Sequence, residues 1–235
     1  MLLRAKALKS FALDALDGKI GKVNHLYFDD ESWVVRYFVV DSGKRDDPTD
    51  NWFFGRQILL PPSKVTSLSV EEQLVATNLL RKEIEDSPGT MTDRPVSQQS
   101  EEGNYNALGW PVAWYGPDHP IKPQDPHLRS TAEVTGYHFQ ASDGEIGHVA
   151  DFVIDVDTWT IRYLILDTRN WWPGKQVLIS PRWIEKVSWE ESKVYVVVTR
   201  EQVQQAPAFD DELNLTRAYE AQLFQYYQQK QYWND

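Results

Sequence analysis

Cysteine is absent from all 235 residues. That removes disulfides, thiolate metal sites and thiol chemistry together. It also takes away one argument for an oxidising compartment without fixing the compartment; a cytoplasmic location is expected. Long apolar runs are missing too. Val194-Tyr195-Val196-Val197-Val198 is typical of the longest, far short of the ~20 residues that span a bilayer. Excess positive charge is lacking: 24 Lys and Arg against 35 Asp and Glu leave a net charge of −11. No basic run is longer than Lys44-Arg45, so phosphate backbones are repelled and nucleic-acid binding is not expected.

The common catalytic signatures are missing as well. No HExxH spacing, GxSxG elbow or P-loop occurs. The histidines, His25, His119, His127, His138 and His148, are scattered. A nucleophile, base and orienting group cannot be assembled from neighbouring positions, so no enzyme and no cofactor is expected. Asp29-Asp30-Glu31, with Asp155 and Asp157, could offer oxygens to a hard cation, but the ligand spacing and closing glutamate of a calcium loop are not there. These acids read as turn chemistry, and no metal site is expected.

What is present is an internal repeat. Asp17-Gly18-Lys19-Ile20-Gly21-Lys22-Val23 recurs as Asp143-Gly144-Glu145-Ile146-Gly147-His148-Val149, an offset of 126. The same offset aligns Asp29 with Asp155, Trp33 with Trp159, Arg36-Tyr37 with Arg162-Tyr163, and Asp41 with Asp167. After Asp41 the first copy is longer by seven residues, and the offset becomes 119: Gln57-Ile58-Leu59-Leu60 faces Gln176-Val177-Leu178-Ile179, and Pro62 faces Pro181. Upstream, Leu8, Phe11 and Leu13 align with Val134, Tyr137 and Phe139. This makes the N-terminus the first strand of copy one rather than a cleaved leader.

Each copy reads as a run of strands. Asp-Gly before Ile-Gly predicts a tight turn with a glycine bulge. A second strand follows over Ile20–Phe28, then an acidic turn, then a third strand over Trp33–Val40. That third strand is apolar on both faces, which predicts burial on both sides. Ile58–Leu60 predicts a fourth strand, and the alternation of Val75, Thr77 and Leu79 a later one. Thr199-Arg200-Glu201-Gln202 has capping-box spacing for a short helix, which copy one lacks because Leu80 stands in the threonine's place.

These motifs resemble the PRC-barrel domain family. The carriers are Asp-Gly-x-Ile-Gly-x-Val, the acidic turn with tryptophan, the apolar Arg-Tyr strand ending in Asp, and a later apolar strand running into proline, as in Leu59-Leu60-Pro61-Pro62 and Leu178-Ile179-Ser180-Pro181. The resemblance covers residues 1–88 and 130–207. It implies a mainly β chain of two tandem small barrels with short helices; the residues themselves add a proline- and aromatic-rich linker over 89–129 and a helical tail over 208–235. Many stand-alone bacterial members of the family are similar in having two copies. Other members include the cytoplasmic domain of the photosynthetic reaction-centre H subunit and the C-terminal domain of the ribosome maturation factor. The common implication is docking onto a larger protein assembly. Narrower alternatives are an adaptor of a membrane electron-transfer complex and an accessory factor in ribosome maturation.

Candidate partner-binding residues are the surplus aromatics. Trp171-Trp172 tips a hairpin in copy two, and Trp52-Phe53 lies at the matching place in copy one. Trp110, Trp114 and Tyr115 fill the second half of the linker. In the tail, Leu215, Tyr219, Leu223 and Tyr226 fall at helical spacing, with Asn214 as a possible cap, so a helix with an aromatic face is expected to dock on a barrel. Tyr226-Tyr227 and Tyr232-Trp233 remain for a homodimer or partner contact.

Overall fold

A computed structural model describes residues 1–42, 57–87, 95, 125–168, 174–210 and 215–234. In chain order these form β1 (Leu2–Arg4), α1 (Ala5–Leu8), β2 (Ala12–Ala15), β3 (Gly18–Asp29), β4 (Val35–Asp41), β5 (Gln57–Leu60), β6 (Val65–Ser69), β7 (Leu74–Thr77) and α2 (Arg81–Glu85). Then come β8 (Leu128–Ser130), α3 (Thr131–Val134), β9 (His138–Ala141), β10 (Gly144–Asp155), β11 (Thr160–Asp167), β12 (Gln176–Ile179), β13 (Ile184–Ser188), β14 (Lys193–Val196), α4 (Arg200–Gln205) and α5 (Arg217–Tyr226). The chain is mainly β, and it divides into two compact units: Ala5–Ala132, and Met1–Arg4 with Glu133–Asp235.

The first-repeat unit is a seven-stranded sheet with the path β5-β4-β3-β2-β7-β6, and β8 added beside β3. β2 and β7 run parallel, while the other pairs are antiparallel. The two ends of the path, β5 and β6, are consecutive in the chain and joined through the 3-10 turn Pro62–Lys64. The sheet therefore curls back so that its ends lie one tight turn apart, which is how a small sheet approaches closure. Proline suits the first position of that turn because its fixed φ is already right and its missing N–H is not needed. The long β3 is bent by register shifts between Val23 and His25 and between Tyr27 and Phe28; such bulges increase local twist and curvature.

The second-repeat unit repeats this order as β12-β11-β10-β9-β14-β13, with β1 added beside β10. Its closing turn is Pro181–Trp183, where Ser180 Oγ accepts from the Arg182 N–H at 3.4 Å. β11 is the central apolar strand, with Ile161, Tyr163, Leu164, Ile165 and Leu166 all nearly inaccessible. Both of its faces are buried, as the continuous apolar run indicates. Each fully buried Leu, Ile or Phe of these cores contributes about 1.5–3 kcal/mol of transfer free energy.

Several local expectations are revised. Leu8 lies in α1, not in a strand, although Leu8, Phe11 and Leu13 are all buried. β4 begins at Val35, two residues later than the apolar run suggests, because Trp33 sits in the turn at φ 58° and its counterpart Trp159 at φ 53°. Trp33 instead stacks on Phe28, 5.4 Å between ring centroids. Leu79 falls beyond β7. The two units also cut across the repeat boundaries. β1, at the start of copy one, completes the sheet of copy two, and β8, at the start of copy two, completes the sheet of copy one.

Candidate interaction surface

The side chains that recur in both repeats are occupied by the fold. Asp17 Oδ1 accepts from the Arg81 N–H and Asp143 Oδ1 from the Arg200 N–H, each at 2.8 Å, so each Asp-Gly turn holds the first residue of a short helix. Asp29 caps its own turn, accepting from the N–H of Ser32 at 2.7 Å and of Glu31 at 3.1 Å. Arg36 reaches Asp29 across the hairpin at 3.5 Å, and Arg162 reaches Asp155 at 3.1 Å. Partial burial pushes both carboxyls up, but these hydrogen bonds and cations outweigh it and leave them below the usual carboxylate range. The acidic turns are thus filled by backbone and arginine donors. Among the described residues no group of three or more acids and histidines is placed to hold a metal ion.

The histidines are separated in the same way. His25 is largely buried in β3, and burial together with nearby Lys9 pushes its pKa down to about 4. His127 is exposed, and its Nδ1 lies 3.0 Å from Asp30, which raises its pKa. His138 pairs with Glu145 at 2.9 Å. His148 stands in register with Asp167 across β10 and β11. His119 lies outside the described residues.

Among the described residues, the repeats differ most where α5 packs in the second-repeat unit. Thr216, not Asn214, caps this helix, its hydroxyl accepting from the Tyr219 N–H at 3.2 Å. The helix turns Glu220, Leu223 and Phe224 inward. Glu220 is 1% exposed, a burial that requires partners. Its Oε1 accepts from Tyr163 and Tyr232 hydroxyls, both at 2.8 Å, and Oε2 pairs with Arg217 at 3.0 Å. Burial first, and then Glu220, pushes Tyr163 far up and Tyr232 up to about 12, so both remain protonated donors. Around this network the Phe224 ring meets Trp183, Tyr163, Tyr232 and Trp233 at 5.4–6.4 Å. Arg217 lies 4.3 Å over the Trp233 ring and Arg162 lies 4.4 Å over Tyr232, geometry suited to cation–π attraction.

Of the aromatics singled out in the sequence, Tyr226 and Tyr227 are described. Tyr227 is 6% exposed and packs on Trp183 at 4.2 Å. Tyr226 is half-buried, its hydroxyl donating to the Gln202 carbonyl at 2.7 Å. Trp52, Phe53, Trp110, Trp114, Tyr115, Trp171 and Trp172 lie outside the described residues. The rim that remains accessible comprises Arg217, Tyr226, Tyr232 and Trp233. Sequence reading missed Glu220 and Trp183. The signal for Glu220 was its position one residue after Tyr219 on a helix otherwise read for its aromatic face. Trp183 carried none, because copy one has Lys64 at that place.

Residues 139–203 match the model of the PRC-barrel domain. That span runs from β9 to the middle of α4, the core of the second-repeat unit. No curated protein matches the chain.

Proposed function

We propose that this chain is a non-catalytic binding or scaffolding protein that docks onto a larger protein assembly, with the α5 rim as its contact surface. The observation that carries this reading is the division of labour among residues. The recurring Asp17, Asp29 and Arg36 and their counterparts Asp143, Asp155 and Arg162 are each engaged in a turn, a helix start or an ion pair of their own unit. Among the described residues, the part found beside one repeat only is a helix whose first residue, Arg217, lies over Trp233, with Tyr226, Tyr232 and Trp233 partly accessible. Tyrosine, tryptophan and arginine at the edge of a packed aromatic cluster are the residue types that carry binding energy at protein interfaces. The match to the PRC-barrel domain supports a module that docks rather than catalyses.

The test is affinity capture from the source cell's lysate, comparing the natural chain with Arg217→Ala plus Trp233→Ala, with and without RNase. A protein retained by the natural chain and lost from the variant supports the reading. Ribosomal proteins lost on RNase treatment would narrow it to ribosome maturation, and subunits of a membrane electron-transfer complex to the adaptor role. A partner retained equally by both moves the contact away from α5. Turnover in a broad hydrolase and redox screen would overturn the non-catalytic reading.

A further inference from the structure

The added strands β1 and β8 are related by the repeat offset of 126, and so are their registers. Leu2 stands opposite Asp155, and Leu128 stands opposite Asp29. The strand that opens each repeat therefore occupies the same edge position, but in the other repeat's sheet. Nothing in strand geometry alone demands this, since each edge offers the same backbone groups.

The side chains discriminate. Arg4 of β1 reaches Asp151 of β10 at 2.8 Å, and Asp151 is 3% exposed. Arg129 of β8 reaches Asp30 at 2.6 Å and is itself 8% exposed. The two ion pairs occupy non-equivalent positions. At the offset of 126, Asp151 corresponds to His25 and Asp30 to Val156, while Arg4 corresponds to Ser130 and Arg129 to Leu3. If β1 lay instead on its own repeat's β3, Arg4 would meet the His25 imidazole and Asp30 would lose its guanidinium. If β8 lay on its own repeat's β10, Arg129 would meet Val156 and Asp151 would face a serine. Both self-paired arrangements bury a charge without its partner, and the exchanged arrangement pairs both.

We propose that the outer edges of β10 and β3 are two sequence-selective strand-binding sites, each keyed by one acid. The β10 edge takes an extended segment with arginine third (Leu2-Leu3-Arg4, read by Asp151). The β3 edge takes one with arginine second (Leu128-Arg129-Ser130, read by Asp30). Backbone pairing supplies the attachment, as in other strand-addition sites, and the buried acid supplies the choice. The ligand of each site is the strand that opens the other repeat, so a chain cut in the linker is held as two pieces that complete each other's sheets.

The experiment uses the full chain with a protease site inserted between Gln99 and Ser100. Since the chain has no cysteine, introduced thiols report pairing directly. Leu3 is directly opposite Ile154, a separation that a disulfide spans in an antiparallel pair. In Leu3→Cys plus Ile154→Cys, mild oxidation and cutting should give one non-reduced band that contains both pieces. Leu3→Cys plus Phe28→Cys, the self-paired equivalent, should leave the pieces unjoined and its thiols free. Adding Arg4→Ser with Ser130→Arg to the first variant should lower the joined fraction severalfold, because the key then sits on the wrong strand. The cut chain without cysteines should still elute as one species in size-exclusion chromatography, which needs no core substitution. Separation of its pieces on cutting, or cross-linking of Cys-substituted positions 3 and 28 as readily as 3 and 154, would overturn the proposal. An unchanged joined fraction after the arginine transfer would overturn the keying.

Discussion

A β-carbon on Gly147 would stand 2.3 Å from the carbonyl oxygen of Asp167, and Gly147 itself is held at φ +141°. The same holds in the first repeat, where a β-carbon on Gly21 would lie 2.1 Å from the Asp41 carbonyl. Both constraints act on backbone, which cannot swing away as a side-chain end can. The repeated Ile-Gly step is thus fixed by the close approach of β10 to the end of β11, and of β3 to the end of β4. Gly147→Ala should destabilise by clearly more than the ~0.4–1 kcal/mol by which an unstrained glycine-to-alanine replacement stabilises. Gly136→Ala is the comparison: it too has positive φ, +95°, but nothing lies within 4 Å of its added carbon. Urea denaturation of the two variants should rank Gly147→Ala as the less stable. The reverse order would show that backbone angle, not close approach, sets the cost.

Two tyrosines in one aromatic cluster should respond oppositely to loss of their hydroxyls. Tyr163 donates to the buried Glu220. Tyr163→Phe removes one donor from a buried carboxylate, and should destabilise by about 1–3 kcal/mol. Tyr227 is equally enclosed, but its hydroxyl has no hydrogen-bond partner among the described residues. Tyr227→Phe keeps the ring against Trp183 and removes an unpaired polar atom, so stability should be unchanged or rise by up to about 1 kcal/mol. Thermal or chemical melts of the two variants decide it. A loss in Tyr227→Phe as large as that in Tyr163→Phe would mean that the Tyr227 hydroxyl is satisfied in solution.

What could be read ahead of the fold follows from how each signal is encoded. The repeat, most of the strands of each copy and the glycine turns are local patterns, the turns carried by Asp17-Gly18 and Ile20-Gly21 and their counterparts. β3 and β4 were placed to within two residues because apolar alternation is a local signal as well. The strand exchange was not legible. β1 and β8 are three residues each, too short for periodicity, and their partner edges are alike in backbone. The placement of Arg4 against Asp151 rather than His25, and of Arg129 against Asp30 rather than Val156, distinguishes them. Glu220 was passed over for a related reason. A glutamate on a helix ordinarily faces water, and its burial depends on Tyr163 and Tyr232, which lie 57 and 12 residues away.

The two short helices after β7 and β14 offer a test of capping. In the second repeat Thr199 and Gln202 form a reciprocal box: Thr199 Oγ1 accepts from the Gln202 N–H at 3.2 Å, and Gln202 Oε1 accepts from the Thr199 N–H at 2.8 Å. In the first repeat only half is present, with Glu83 Oε2 accepting from the Leu80 N–H at 2.7 Å. A leucine side chain has no acceptor to return, and Leu80 is 45% exposed. Leu80→Thr completes the box without opening a cavity and should raise stability by about 0.5–1 kcal/mol. Thr199→Ala should lower it by a similar amount. If Leu80→Thr destabilises in a chemical melt, the exposed leucine has a packing role that outweighs the cap.

His25 sets the expected response to mild acid. Burial, and secondarily Lys9, hold its pKa near 4 against an ordinary 6.5. Below about pH 6.5 the unfolded chain takes up a proton on this residue, whereas the folded chain does not until about pH 4. The unfolded state therefore binds more protons across that window, and stability falls as pH drops through it. The contribution of this one side chain is on the order of 3 kcal/mol between pH 7 and pH 4. Other groups act in different windows or with the opposite sign. Asp29 and Asp155, held below 3.8, lose their contribution only in stronger acid, as pH falls through their folded values. His127, raised by Asp30, stabilises fully below about pH 6.5, and that benefit fades as pH rises through its folded value; its exposure keeps the term small. Urea midpoints measured at pH 7, 5.5 and 4 should fall more steeply for the natural chain than for His25→Asn, which cannot titrate. Parallel falls would place the proton uptake elsewhere and show that His25 titrates alike in the folded and unfolded chains.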